Sequence, residues 1–222
     1  MATTDGLSGP KVGILLYDGF SLLDAAGPAD LLVRLPGATV TMIGENRGPV
    51  RTDTGCVALM ADRSFDEVDR LDVVLVPGGG VRGTTGAMGN EKLLDWIRRV
   101  DRHSAWTVSV CTGSLILGKA GLLRERATTY WASGNYLERT FGVEYVSARY
   151  VRDGKIVTAA GVSAGIDMAL YLAAQLAGET TARGIQLAVE YDPKPPLDSG
   201  DPVTASEELK ELSLRLLTDS AV

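Results

Sequence analysis

The chain has 222 residues, enough for one large domain with a sizeable core; 45% are hydrophobic and 23% charged, an ordinary balance for a soluble globular protein. The formal net charge of -6, with no basic stripe to offset it, argues against a nucleic-acid binder. Two cysteines, Cys56 and Cys111, are too few for a disulfide framework and fit a cytoplasmic setting; no His/Cys cluster suggests a metal site, and no apolar run is long enough to span a membrane.

Residues 1–10 are small and polar and read as a flexible lead-in, without the apolar core of a signal peptide. Residues 11–17, KVGILLY, form a continuous apolar run of strand length, the mark of a central strand. After the Asp18-Gly19 turn, residues 20–35 read as an amphipathic helix that Gly27-Pro28 interrupts or restarts. Asp24 stands there among Leu22, Leu23, Ala25 and Ala26, as either a helix cap or solvated flank, or a buried functional carboxylate.

Residues 38–44 read as a second strand and 49–60 as shorter β segments around Gly55, with Cys56 expected to be structural. Residues 71–76 form another strand, ending in Pro77-Gly78-Gly79-Gly80. That turn either brings backbone N–H groups close to a ligand or is merely tight; no Gly-Lys-Ser/Thr follows to make it a phosphate loop. Residues 90–102 place Leu93, Leu94, Ile97 and Val100 on one helical face, with His103, the single histidine, a surface residue at its end.

The most informative stretch is 107–121, TVSVCTGSLILGKAG. An apolar strand stops at Cys111, Thr112-Gly113-Ser114 turns the chain, and Leu115, Ile116 and Leu117 resume at helical spacing. Such an elbow exposes a side chain at the carboxyl end of a sheet and sets the sulfur beside helix-terminal N–H groups, which favour thiolate over thiol. The bland alternative is a small buried apolar cysteine.

Beyond a polar break at 122–126, residues 127–131 read as a short β segment and 132–141 as a helix. Residues 143–151 and 155–159 flank Arg152-Asp153-Gly154, a hairpin turn. Residues 161–165 lead into a long apolar helix through 176, and a helix over 180–190 is stopped by DPKPP. A terminal amphipathic helix over 207–218 carries Leu209, Leu212 and Leu216, which could dock on the body or on a partner chain. Strands alternating with helices imply an α/β fold, a mostly parallel sheet with helices on both faces, in a single domain over 1–222.

Several of these blocks resemble a known family. VPGGG at 76–80, SVCTGSLILGKAGLL at 109–123, ATTYW at 127–131 and AAGVSAGIDMALYLAA at 159–174 resemble the PfpI-type (class I glutamine amidotransferase-like) superfamily, whose flavodoxin-like sandwich carries a cysteine on a nucleophile elbow. Leu22-Leu23-Asp24 followed by Gly27-Pro28, and IQLAVEYDPKPP at 185–196, look closest to its isocyanide hydratase branch. The resemblance covers 11–197 and leaves 203–222 as a C-terminal helical extension.

The resemblance implies a hydro-lyase that adds water to an isocyanide through a cysteine thioimidate, giving an N-substituted formamide without cofactor or metal. It implies Cys111 as nucleophile, Asp24 as general acid/base, and Thr112 as a contact to the aspartate or a backbone donor. Gly79 and Gly80 would offer N–H groups near the reacting carbon, and Val162 and Ser163 would line the pocket near Asp24. It also implies a homodimer with the site near the interface, and a small-molecule substrate with no nucleic-acid or membrane partner. One departure is Tyr130, where related sequences commonly have TTHW. With His103 far upstream, no Cys–His dyad is expected, which weakens a peptidase reading. The alternatives are glyoxalase or deglycase chemistry on α-oxoaldehydes, or a non-enzymatic stress or redox sensor acting through Cys111.

Overall fold

A computed structural model describes residues 9–220; of the expected lead-in over 1–10, residues 1–8 lie outside the described residues. β1 (Lys11–Leu15), α1 (Leu22–Leu32) and β2 (Thr39–Gly44) open the chain. β3 (Gly48–Arg51) and β4 (Ala58–Ala61) form an antiparallel hairpin, followed by β5 (Arg63–Ser64). β6 (Val73–Val76), α2 (Val81–Gly89), α3 (Glu91–Asp101), β7 (Trp106–Val110) and α4 (Gly113–Lys119) build the centre. β8 (Arg126–Ala127), α5 (Gly134–Phe141), β9 (Glu144–Tyr145), β10 (Tyr150–Asp153) and β11 (Ile156–Ala159) follow. The chain closes with α6 (Ala164–Ala177), α7 (Glu179–Ala188) and α8 (Glu207–Ser220).

The main sheet has seven strands in the order β10-β11-β7-β6-β1-β2-β5, all parallel except β10. Its central strands are apolar without alternation because both faces are covered: Val73, Val74, Leu75 and Val76 are all buried, as are Val12, Ile14 and Leu15. α1 packs against α6 and α6 against α7, while α2 contacts α3 and α4. From β1 the chain winds first toward β2 and β5, then crosses back to β6 and continues to β7 and β11. The reversal lies between β1 and β6, and a crevice at the carboxyl ends of strands on either side of such a reversal is where open α/β sheets bind ligands.

Several expectations differ in detail, and one element had none. α1 runs through Gly27-Pro28 without a break. Pro28 offers no N–H to the Asp24 carbonyl, but its ring packs at the α6 contact beside Gly165, and tertiary packing holds the helix together. Residues 81–89, which carry no clear pattern, form α2. Cys56 is exposed in the β3–β4 connection, its sulfur 3.0 Å from the Thr54 hydroxyl, rather than buried as a structural residue. His103 is exposed just before β7, at the sheet edge opposite the one where β7 delivers Cys111.

Candidate active site

Cys111 follows β7 directly, with φ of 56°, in the left-handed region that a residue with a Cβ enters at a cost of about 1–2 kcal/mol. Several bonds hold it there. Its N–H is directed at the carbonyls of Ala160 (2.7 Å) and Ala159 (3.1 Å), at the end of β11. Its carbonyl accepts from the hydroxyls of Thr129 (3.1 Å) and Ser114 (3.2 Å). Gly113 makes the elbow possible: a Cβ there would lie 2.2 Å from the Val76 carbonyl oxygen. The sequence Cys-Thr-Gly therefore bends the chain tightly against the end of β6.

That contact brings the glycine turn to the cysteine. The three N–H groups of the turn face protein side chains. Gly78 donates to Asp24 Oδ2 at 2.9 Å and Gly79 to Thr112 Oγ1 at 3.0 Å, while the Gly80 N–H faces the Asp53 carboxylate. A Cβ on Gly78 would sit 2.7 Å from the Thr112 nitrogen and 2.9 Å from Asp24 Oδ2, so the acid and the residue after the cysteine converge on one point.

Asp24 is wholly buried, and burial together with the nearby Asp53 pushes its carboxyl up to about 8, against the opposing effect of the Gly78 N–H. Its other oxygen, Oδ1, has no hydrogen-bond partner among the described residues. Cys111 is 7% exposed, and its thiol lies well above the usual range, first through burial and then through Asp24. The N–H and hydroxyl of Thr112 oppose this without overcoming it. Burial and Asp24 thus work against the thiolate that the N–H groups at the start of α4 would favour.

Asp53 and Tyr17 complete the surroundings, and neither stood out in the sequence. Asp53 sits on the β3–β4 connection, which Phe20 ties to the glycine turn by bridging to both Thr52 and Gly79. Its backbone N–H donates to the Phe20 carbonyl at 2.9 Å, and its carboxyl is raised, mainly by partial burial. The buried Tyr17 hydroxyl donates to the Pro77 carbonyl at 3.0 Å. Behind this wall a cavity of about 710 Å³ opens between the hairpin and α2, lined by Tyr17, Asp53, Gly80 and Arg82 among others.

Val162 and Ser163 lie in the connection from β11 to α6, close in sequence to the carbonyls that receive the Cys111 N–H. Ser163 is exposed, and its hydroxyl accepts from Arg149 at 3.2 Å. Tyr130 is partly buried; burial first, and Cys111 among the remaining causes, raise its phenol, and its hydroxyl faces Ser213 of α8. No group of three or more metal-ligating side chains is found among the described residues.

Residues 10–175 match the profile of the DJ-1/PfpI family over most of the chain. The chain belongs to the DJ-1/PfpI family. It is 44% identical over 196 residues to an isonitrile hydratase of Pseudomonas putida, covering 88% of this chain and 84% of that protein. A solved THiJ/PfpI family protein from Pseudomonas syringae superposes with a TM-score of 0.89 at 33% identity, covering 96% of this chain and 88% of that one. A deglycase of Thermococcus kodakarensis is 30% identical over 150 residues, or 67% of this chain and 88% of that protein. The flavodoxin-like arrangement of this DJ-1/PfpI member agrees with the fold read from its sequence.

Proposed function

We propose that this protein is an isocyanide hydratase, with Cys111 as nucleophile and Asp24 as general acid and base. The observation that carries the reading is Asp24: a wholly buried carboxyl pushed up to about 8, with one oxygen fixed by Gly78 and the other without a partner among the described residues, close enough to Cys111 to raise its thiol. A neutral acid next to a thiol suits a substrate whose carbon must gain both a sulfur and a proton. The likeness to the Pseudomonas putida isonitrile hydratase supports the same substrate class.

In this scheme the Cys111 sulfur bonds to the terminal carbon of R–N≡C. Asp24 gives its proton to that carbon and receives the sulfhydryl proton, leaving R–N=CH–S–Cys111. Water then adds across the C=N bond. Its oxygen bonds to carbon, Asp24 takes a proton from the water, and the nitrogen gains one from Asp24. Collapse of R–NH–CH(OH)–S breaks the C–S bond, and the hydroxyl proton returns to sulfur by way of Asp24. The products are R–NH–CHO and the starting thiol. The scheme draws on no metal or cofactor.

Thr112 acts on the sulfur through its N–H and its hydroxyl, and its side chain is held by Gly79 and Thr84 rather than by Asp24. Gly79 and Gly80 act by orienting Thr112 and Asp53, and we read Val162 and Ser163, in the β11–α6 connection next to the carbonyls that receive the Cys111 N–H, as substrate-lining residues. We further read the chain as a cytoplasmic homodimer, a reading supported by two free cysteines and by Leu209, Leu212 and Leu216 exposed along α8. Product analysis tests the activity: an alkyl isocyanide should yield its formamide, with methylglyoxal turned over far more slowly. Preferential consumption of methylglyoxal with no formamide would replace this reading with the deglycase one.

A further inference from the structure

A hydroxyl with no role in the scheme above completes the glycine turn. Thr84, in the first turn of α2, is buried. Its Oγ1 lies 3.0 Å from the Gly79 carbonyl oxygen and 2.9 Å from Thr112 Oγ1. Thr112 Oγ1 is itself 3.2 Å from that carbonyl and accepts the Gly79 N–H at 3.0 Å. Each hydroxyl has a single proton to give. When Thr84 donates to the Gly79 carbonyl, the Thr112 proton is not needed there. It can then point to the Thr84 oxygen or to the Cys111 sulfur, which Thr112 faces with both its N–H and its hydroxyl.

We propose that Thr84 is a positioning residue for Cys111: by occupying the Gly79 carbonyl, its hydroxyl frees the Thr112 proton to turn to the sulfur as the sulfhydryl proton leaves. This inference rests on Cys111 being the reacting thiol. With the thiol intact, Thr112 donates to Thr84. As negative charge builds on sulfur, the Thr112 hydroxyl rotates to it, and the carbonyl stays satisfied by Thr84. Without the Thr84 hydroxyl, one proton must serve both the carbonyl and the sulfur, and a buried carbonyl left unpaired is unfavourable.

The sulfur has few other sources of help. The titratable groups that face it are Asp24 from α1, Asp53 from the β3–β4 connection, Tyr17 after β1 and Tyr130 before α5. All are acids or phenols, and none supplies a positive charge. The Tyr17 phenol oxygen is a second acceptor facing Thr84, but the phenol itself donates to Pro77, and the hydrogen bond that Thr84 Oγ1 makes runs to the Gly79 carbonyl at 3.0 Å.

The test is the pH profile of Cys111 alkylation by iodoacetamide in the full chain, followed on the Cys111 peptide by mass spectrometry. Thr84→Val should slow alkylation near pH 8 on the order of tenfold, equivalent to an upward shift of about one pKa unit. Thr84→Ala should do the same should the valine disturb packing, and Thr84→Ser should follow the wild-type curve. Alkylation of the exposed Cys56 should be unchanged throughout and reports an intact fold. A Thr84→Val or Thr84→Ala profile that coincides with wild type overturns the proposal, as does a Thr84→Ser profile displaced as far as theirs. Because no isocyanide takes part, the outcome is independent of whether the hydratase reading holds.

Discussion

The Gly78 N–H donates to Asp24 Oδ2 at 2.9 Å and so leaves Oδ1 as the free, buried end of the carboxyl. One bond thereby orients a proton carrier that burial keeps neutral up to about pH 8. The lone N–H offsets part of the burial effect, which sets the acid within working range of neutral pH.

Replacing Asp24 with Asn should separate catalysis from stability. Asn keeps the acceptor for Gly78 but cannot move a proton, so isocyanide hydration should fall on the order of a hundredfold or more. Stability should move the other way. The unfolded carboxyl titrates near 3.9 and the folded one near 8, so between those values the unfolded chain binds fewer protons, and wild-type stability declines as pH rises. The slope from this group is roughly 1.4 kcal/mol per pH unit inside the window and vanishes outside it. Urea midpoints at pH 5, 6.5 and 8 should show the Asn variant gaining on wild type at each step.

The pH dependence of turnover follows from the same group. Activity should decline as pH rises through about 8, where Asp24 loses its proton. Asp53 helps hold both Asp24 and Cys111 up, so Asp53→Asn should lower both and move that decline to lower pH. Initial rates from pH 6 to 10 on both proteins would show the displacement. A profile unmoved by Asp53→Asn would remove this carboxylate from the electrostatics of the site.

Much of this arrangement is legible in the sequence, and the part that is not has physical reasons. Residues 11–17 and 73–76 read as strands because a sheet covered on both faces favours uninterrupted apolar runs, and 107–110 fits the same place with the small hydroxyls of Thr107 and Ser109 buried between Val108 and Val110. Cys111 and Gly113 mark the elbow because few residues tolerate that bend. Pro28 suggested a break that packing on α6 prevents, since local preference yields to tertiary contact. α2 stayed hidden because Gly83, Gly86 and Gly89 carry little helix propensity, and Thr84 stayed hidden with it. Asp53 reaches the site through long-range contacts with Phe20 and Gly80 that leave no local signal. The burial of Cys111, which works against its ionisation, is not revealed by the pattern of the elbow.

The elbow itself can be probed at Gly113. A methyl there would be driven into the Val76 carbonyl, so Gly113→Ala should lower stability by about 1–3 kcal/mol and displace Cys111. Thermal melts and initial rates should fall together. An active variant of undiminished stability would show that the elbow relaxes more readily than its contacts suggest.

Tyr130 offers a contrast, since the scheme assigns it no proton. Tyr130→Phe should retain isocyanide turnover within several-fold of wild type, and Tyr130→His should not produce peptidase activity. A loss comparable to that of Asp24→Asn would move the proton work from the carboxylate to the phenol.

The most direct measurement is the turnover of a simple alkyl isocyanide by Cys111→Ala, with formamide quantified beside wild type. The scheme predicts formamide from wild type and none above the uncatalysed background from the variant. Formamide formed by Cys111→Ala at the parental rate would contradict it.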